Sequence, residues 1–582
     1  MVSPHLCAVQ WLFTHRNRYN LPPKYPLNEP SHLNNPATIE FLGKTVSGPF
    51  TIPSGIVATA IPIIEWVFRT MPQIGVMTTK SIGLTPKSGY REPVLSQYAP
   101  GCFVNAIGLT NPGAHESAEL FAQLQVPHDR FLLTSIFGGS VEEFVAVARI
   151  LAPYSDGLEL NLSCPHASGY GMAMGQDPVL VREIIEAVKA AVDIPIVPKL
   201  TPNTPDIAEI ARAAVAGGAD AICAINTVGP GYTSAWGEPV LSNGVGGMSG
   251  KGILPIALKC VKEIAEAVDV PIIGCGGLSN ADDVRAFKSA GASIFGVGSA
   301  LTGMTSKEVV QYFDVLSADF ATKGDNAGEA LVKYDVDMSF SPVTLVSNEK
   351  VTDDISLLTF DHKIDLKAGE FVFLWLPGLG EKPFSALVDD PFTLVVINLG
   401  EFTQQLMDLE PGTQAYVRGP HGIAAVPPTN SRIMAVAGGT GLAAVYQLAR
   451  DHTGPHKPEI FAGARTAQRL YFTQECEACA DLHIATDDGS RGFHGVVTEL
   501  LRQRLEDMSQ EELSSLVFYN CGPEPMVHAA VAVQQEFCAP EQIFTAIDYL
   551  TKCGVGICGA CAAPDGRRLC VDGPFLQGGV SQ

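Results

Sequence analysis

The chain has 582 residues, 46% of them hydrophobic and 17% charged, with a formal net charge of -23 at pH 7. That length accommodates three or four domains with cores of their own, and the acidic balance excludes nucleic acid, because neutralising phosphates needs clustered Lys and Arg. No stretch is long and apolar enough to span a membrane. Residues 1–35, an N-terminal extension containing Trp11, Leu12 and Phe13, lack the continuous apolar segment of a secretory signal.

From residue 36 to 320, glycine-ended apolar strands alternate with segments of helical periodicity. Gly157–Leu162, Ile194–Leu200, Ala219–Asn226 and Pro271–Gly277 are such strands, and Val179–Val192 and Asp206–Ala216 such helices. This alternation predicts an α/β (β/α)8 TIM barrel, with its chemistry at the C-terminal ends of the strands. Residues 332–430 carry short β-rich runs, including Phe371–Leu376 and Gln414–Arg418, and predict a small β-barrel. A βαβ pattern occupies 431–540, and a cysteine-bearing module fills 541–582.

Polar residues cluster at the predicted strand ends of the first domain. Cys164, in Asn161-Leu-Ser-Cys-Pro-His166, suits a general base if its surroundings favour the thiolate. Asn105, Asn161 and Asn226-Thr227 supply amides, each with a donor and an acceptor, which match a flat ring of alternating N–H and C=O groups. Each residue alone also fits a blander role, Cys164 as a small core residue and the asparagines as turn formers.

In the last module Cys553, Cys558, Cys561 and Cys570 stand in a C-x4-C-x2-C-x8-C spacing on a loop with glycines at 554, 556 and 559. That is the plant-type arrangement for a 2Fe-2S cluster, whereas zinc sites usually pair their cysteines in two separated sets. The fourteen cysteines are otherwise scattered, and thiolate ligands favour a reducing, cytoplasmic compartment. Cys476 and Cys479 form a C-x2-C pair without a second pair nearby and are read as incidental.

The sequence resembles the NAD-linked, two-subunit class of dihydroorotate dehydrogenase, with the catalytic and electron-transfer subunits fused. The resemblance is carried by Thr78–Ser81, Asn105–Gly113, Asn161–Pro165, Lys199–Asn203, Asn226-Thr227, Gly246–Gly250 and Gly274–Gly277, in one order across residues 45 to 305. It implies FMN in the barrel mouth, with Cys164 taking a proton from C5 of dihydroorotate as hydride leaves C6. It places Ser54, Lys80, Ser81, Asn161 and Lys199 at the flavin, and Gly250, Gly276, Gly277, Gly298 and Ser299 at its phosphate. Lys80, Asn105, Gly108, Leu109, Asn161, His166, Asn226 and Thr227 would hold the pyrimidine. His166 replaces the family's usual asparagine, and the run into it is similar to the flavin domain of dihydropyrimidine dehydrogenases, so uracil or thymine chemistry is the alternative.

In the second half, Lys382-Pro383-Phe384-Ser385 resembles the FAD-binding Arg-Pro-x-Ser of ferredoxin-reductase-like electron-transfer subunits, and Arg418-Gly-Pro-His421-Gly422 resembles their barrel ending. Gly438-Gly439-Thr440-Gly441 opens a helix after a strand and suits a dinucleotide phosphate. Cys521-Gly522-Pro523 resembles the motif where nicotinamide approaches FAD. Asp487 and Asp488 are read as turn caps rather than ribose ligands. The expectation is an electron path from dihydroorotate through FMN, 2Fe-2S and FAD to NAD, in a homodimer formed through the barrel. An electron-transfer diaphorase without pyrimidine turnover is the other class of reading.

Overall fold

The computed structural model describes residues 38–57, 60–162, 174–322, 327–547 and 550–578. They divide into two compact units, one comprising the described residues up to Asp337 with Val555–Arg568, the other Met338–Gly554 with the residues from Leu569 onward.

The first unit is built on eight parallel strands: β1 (Phe50–Ile52), β2 (Ile74–Thr78), β3 (Phe131–Ile136), β4 (Gly157–Asn161), β5 (Ile196–Leu200), β6 (Ile222–Ala224), β7 (Ile272–Cys275) and β8 (Ile294–Gly296). They close in chain order into a barrel, the predicted architecture. Val76, Leu133, Val197, Cys223, Ile273 and Ile294 fill its interior. At its N-terminal end the hairpin Ile39–Phe41/Lys44–Val46 inserts Phe41, whose ring meets Phe131 edge-on at 5.3 Å.

The outer helices follow from sequence period and caps. In Pro178–Lys189 the side chains of Val181, Ile184, Ile185 and Val188 repeat at helical spacing and are buried, and the Asp177 carboxylate accepts from the amides of Val179 and Leu180. Burial of each such side chain contributes about 1.5–3 kcal/mol. Asp206 and Asn280 cap Ile207–Ala216 and Ala281–Ala290 in the same way.

A four-stranded antiparallel sheet, ordered Val228–Gly231, Gly246–Gly250, Cys102–Asn105, Leu95–Ala99, is made from the loops that follow β2 and β6. Sequence period missed it because glycine dominates two of its strands. Segment Val555–Arg568 is tied to the barrel by amides of Val57 and Gly303 donating to the carbonyls of Ile557 (2.7 Å) and Val555 (2.8 Å). Arg568, fully buried, donates to the carbonyls of Gly556 (2.7 Å) and Met304 (3.0 Å).

The second unit starts with a seven-stranded sheet spanning Ser341–His421, whose paired strands run antiparallel. Its long first strand, Ser341–Thr352, pairs with Gln414–His421 early and with Ile355–Phe360 later, so the sheet coils about a core including Leu358, Phe360, Val372 and Leu394. A second seven-stranded sheet has Arg432–Gly438 and Leu516–Cys521 at its centre. From Arg432–Gly438 the chain winds one way to Phe493–His494, and from Leu516–Cys521 the other way to Ile543–Ala546, which Leu576–Gln577 edges antiparallel. Such a reversal leaves a crevice at the C-terminal ends of the central pair. Among the described residues no helix is long and apolar enough to cross a membrane.

Candidate active site

The C-terminal ends of the barrel strands carry a directed hydrogen-bond chain. Ser135 at the end of β3 donates to Glu159 Oε1 on β4 (2.8 Å). Its proton spent, Ser135 accepts from Ser81 (2.9 Å), and Ser81 in turn accepts from Ser54 (3.0 Å) and from the Asn161 amide (3.1 Å). Asn226 Nδ2 donates to Asn161 Oδ1 (3.2 Å), while its own oxygen accepts from the Thr227 amide (2.8 Å). Asn203 bridges the next loop, donating to the Thr227 carbonyl (3.1 Å) and accepting from the Gly229 amide (2.9 Å). Five of the residues singled out from sequence, Ser54, Ser81, Asn161, Asn226 and Thr227, thus belong to one network.

Lys199 on β5 is 7% exposed and lies 3.9 Å from Glu159 Oε1, itself 1% exposed. Burial disfavours its ammonium, but Glu159, Cys223 and Cys275 outweigh burial and hold its pKa above the ordinary lysine value. The Cys223 and Cys275 sulfurs are 4.0 Å apart. The hydrogen bond to Cys275, followed by burial, pushes the Cys223 thiol well up.

The Asn105–Gly113 loop is held by Asn111, which is fully buried, accepts from the amides of Gly83 and Gly113, and donates to the Leu109 carbonyl. Gly108 and Leu109 both adopt left-handed backbone, φ 80° and 58°. For a leucine this conformation is strained, and such strain tends to persist at functional loops. Asn105 ends its strand opposite Gly247. Lys80 is partly exposed, its Nζ 3.4 Å from where a Cβ on Gly55 would sit. Cys164 and His166 lie outside the described residues.

Gly250, Gly276 and Gly277 have φ of 98°, 129° and 82°, and a Cβ on Gly277 would come within 2.7 Å of the Gly250 carbonyl. Gly298 precedes the short helix Ser299–Leu301. A pocket of about 280 Å³ has Lys251, Gly277 and Ser299 in its lining.

In the second unit the central crevice brings two predicted motifs together. A Cβ on Gly441 would overlap the Cys521 carbonyl, and one on Gly438 would lie 3.1 Å from Pro523, so only glycine permits this approach. Gly439 (φ 55°) and Thr440 precede helix Gly441–Arg450, and the buried Tyr471 hydroxyl donates to the Gly439 carbonyl (2.7 Å). Lys382, Pro383 and Phe384 end strand Gly380–Phe384, and all three are partly exposed, as is Ser385.

Arg418 forms two hydrogen bonds with Glu381, stacks over the Phe373 ring at 3.9 Å, and donates to the Cys553 carbonyl (3.1 Å). It also meets His421 Nε2 at 3.0 Å, which must accept. Burial, then the Arg418 charge, depresses the His421 pKa to about 3. Asp488 accepts from the amide and hydroxyl of Ser490, a turn cap. Cys476 is buried in a short helix and burial raises its pKa to about 12, an inert thiol. Cys553, Cys561 and Cys570 are buried and Cys558 is half-buried, and Gly554, Gly556 and Gly559 between them have φ of 79°, 72° and 68°. Among the described residues no group of three or more His, Cys, Asp or Glu is arranged to hold a metal ion.

Glu159, Ser135 and Tyr471 were not singled out from sequence. A lone carboxylate inside the apolar run Gly157-Leu-Glu-Leu was the available signal for Glu159; no local pattern marks the other two.

A parallel barrel with amides and a buried lysine at its strand ends, joined in one chain to a sheet with a dinucleotide crevice, defines an oxidoreductase. Residues 37–314 match the family model described as dihydroorotate dehydrogenase, and 435–532 the oxidoreductase NAD-binding domain. The chain is 42% identical over 264 residues to the catalytic subunit of dihydroorotate dehydrogenase B (NAD(+)) from Pyrococcus horikoshii, covering 45% of this chain and 86% of that one. The same-named subunit from Methanocella arvoryzae is 43% identical over 263 residues, 44% of this chain and 85% of the relative. A solved NADH-dependent reduced ferredoxin-NADP oxidoreductase is 24% identical, covering 41% of this chain and 89% of that chain, with a TM-score of 0.38, too low to add to the fold seen directly. The chain belongs to the dihydroorotate dehydrogenase family.

Proposed function

We propose that this chain oxidises dihydroorotate to orotate and delivers the electrons through FMN, a 2Fe-2S cluster and FAD to NAD. The observation that carries the reading is the union in one polypeptide of a dihydroorotate dehydrogenase barrel with an NAD-binding sheet and a four-cysteine loop. When bound, the flavins would exchange hydride and the cluster single electrons.

The residues present suit the flavin and nicotinamide groups, whereas the support for the cluster comes from the cysteine spacing. For FMN, Ser54, Ser81, Asn161 and the buried Lys199 offer polar contacts to the ring, and the left-handed glycines 250, 276 and 277 present backbone amides to a phosphate. For NAD, Gly438–Gly441 face Cys521–Pro523 at a helix N-terminus. For FAD, Lys382 would neutralise the pyrophosphate without the bidentate fork of arginine. For the cluster, the support is the plant-type C-x4-C-x2-C-x8-C spacing of Cys553, Cys558, Cys561 and Cys570, with glycines of left-handed backbone between them.

In this reading Asn105, Asn161, Asn226 and Thr227 orient the pyrimidine, and the amides of Gly108 and Leu109, with Lys80 and His166, receive its remaining polar groups, the carboxylate among them. Cys164 removes the C5 proton as thiolate. The held Asn105–Gly113 loop favours dihydroorotate over a ring without a carboxylate. The reading includes a homodimer through the barrel and a cytoplasmic setting.

The test is turnover of purified protein with dihydroorotate and NAD, together with flavin and iron extraction. Equal FMN and FAD, two irons per chain and NADH formation are expected. Dihydrouracil oxidised in preference to dihydroorotate, or only one flavin in folded protein, overturns the reading.

A further inference from the structure

Glu159 is a carboxylate inside a closed parallel barrel, an expensive place for a charge unless it is compensated. Two partners compensate it: the Ser135 hydroxyl at 2.8 Å, and the Lys199 ammonium at 3.9 Å. The hydrogen-bond chain from Asn226 through Asn161, Ser81 and Ser135 runs in one sense and ends on this oxygen. Lys199 is faced from the surrounding strands by Glu159 on β4, Cys223 on β6 and Cys275 on β7, and of these only Glu159 is a carboxylate. A lysine this buried without a counter-ion would lose its proton near neutrality.

We propose that Glu159 is a positioning residue, which keeps Lys199 protonated beside the flavin ring in the oxidised state and fixes the orientation of Asn161 through Ser135 and Ser81. The inference rests on the placement of FMN in the barrel mouth. Its physical content is timing: an ammonium already in place when hydride arrives stabilises the added negative charge without waiting for a proton. The raised pKa of Lys199 agrees with this arrangement.

The test is an anaerobic redox titration of the holoprotein from about pH 6 to about pH 9, the range into which burial drives an unpaired lysine. The FMN is followed as the flavin whose absorbance responds to orotate. The wild type should show no inflection from this lysine. Glu159→Gln keeps the shape and the acceptor for Ser135 but removes the counter-charge. Its FMN potential should lie above wild type at the acid end, where Lys199 is charged and unopposed, and below it at the alkaline end, where Lys199 is neutral. A merely structural lesion shifts the potential in one sense throughout.

Glu159→Gln/Lys199→Met should again run parallel to wild type. It should also fold and retain FMN if the single Glu159→Gln does not, because it leaves no unpaired charge. A Glu159→Gln profile parallel to wild type, or a double variant no better folded than a failing single one, overturns the inference. Lys199→Met with an unchanged potential overturns the flavin placement beneath it as well.

Discussion

Arg418 and Glu381 meet through two hydrogen bonds of 2.9 Å, and each side chain is 1% exposed. The same guanidinium reaches the Cys553 carbonyl, so a pair inside the second unit's sheet fixes the start of the cysteine loop. Desolvating both charges makes the pair a poor source of net stability, but removing one partner strands the other. Glu381→Ala should therefore cost about 3–5 kcal/mol, seen as a lowered denaturation midpoint of the second unit. Equal midpoints in Glu381→Ala and wild type would show that water reaches Arg418 and satisfies it.

Acid stability should depend on Glu459. Burial opposes its charge, but His483 at 3.0 Å and Arg504, through bonds of 2.9 and 3.0 Å, outweigh it and bring the pKa down to about 2. With the folded value below the unfolded one, the stabilisation is complete above about pH 4.5 and is lost as pH falls toward 2. The urea midpoint of wild type should drop more steeply over that window than that of Glu459→Gln. Parallel curves would place the acid-sensitive group elsewhere.

Gly441→Ala tests the crevice without touching the barrel. The added methyl overlaps the Cys521 carbonyl, and the glycine turn must retreat, an overpacking worth about 1–3 kcal/mol. NADH-dependent dye reduction should fall at least tenfold while dihydroorotate-dependent dye reduction persists. An unaffected NADH reaction would mean that the turn is not at the dinucleotide.

The barrel was legible because its strands are buried on both faces and end in glycine, as in Pro271–Gly277, and the motif pair Gly438–Gly441 and Cys521–Pro523 because glycine at a strand end is a local signal. The mouth sheet was not: Gly246–Gly250 has no side-chain period, and its pairing with Cys102–Asn105 joins residues about 145 apart. Glu159 with Lys199, and Arg418 with Glu381, are likewise relations between strands, and nothing on either strand alone announces its partner.

Cys164→Ser should keep FMN and orotate binding and lose flavin reduction by dihydroorotate by about 10²–10⁴-fold, the usual toll for a missing general base. A serine hydroxyl is a far weaker proton acceptor than a thiolate at neutral pH. Single-turnover reduction at the wild-type rate would assign the base elsewhere, with His166 two residues on as the next to test.

Cys558→Ser separates the two halves of the electron path. The pyrimidine motifs end before residue 305 and the nicotinamide motifs begin after 430, so losing one cysteine of the loop should leave both ends chemically competent. Dihydroorotate should still reduce a dye, and NADH should still reduce a dye, but dihydroorotate-to-NAD turnover should stop. Turnover surviving with iron and labile sulfide absent from the variant would show that electrons bypass the loop. Loss of dihydroorotate oxidation with FMN still bound would show instead that the loop supports the barrel mouth, which the backbone bonds from Val57 and Gly303 to Ile557 and Val555 make physically reasonable.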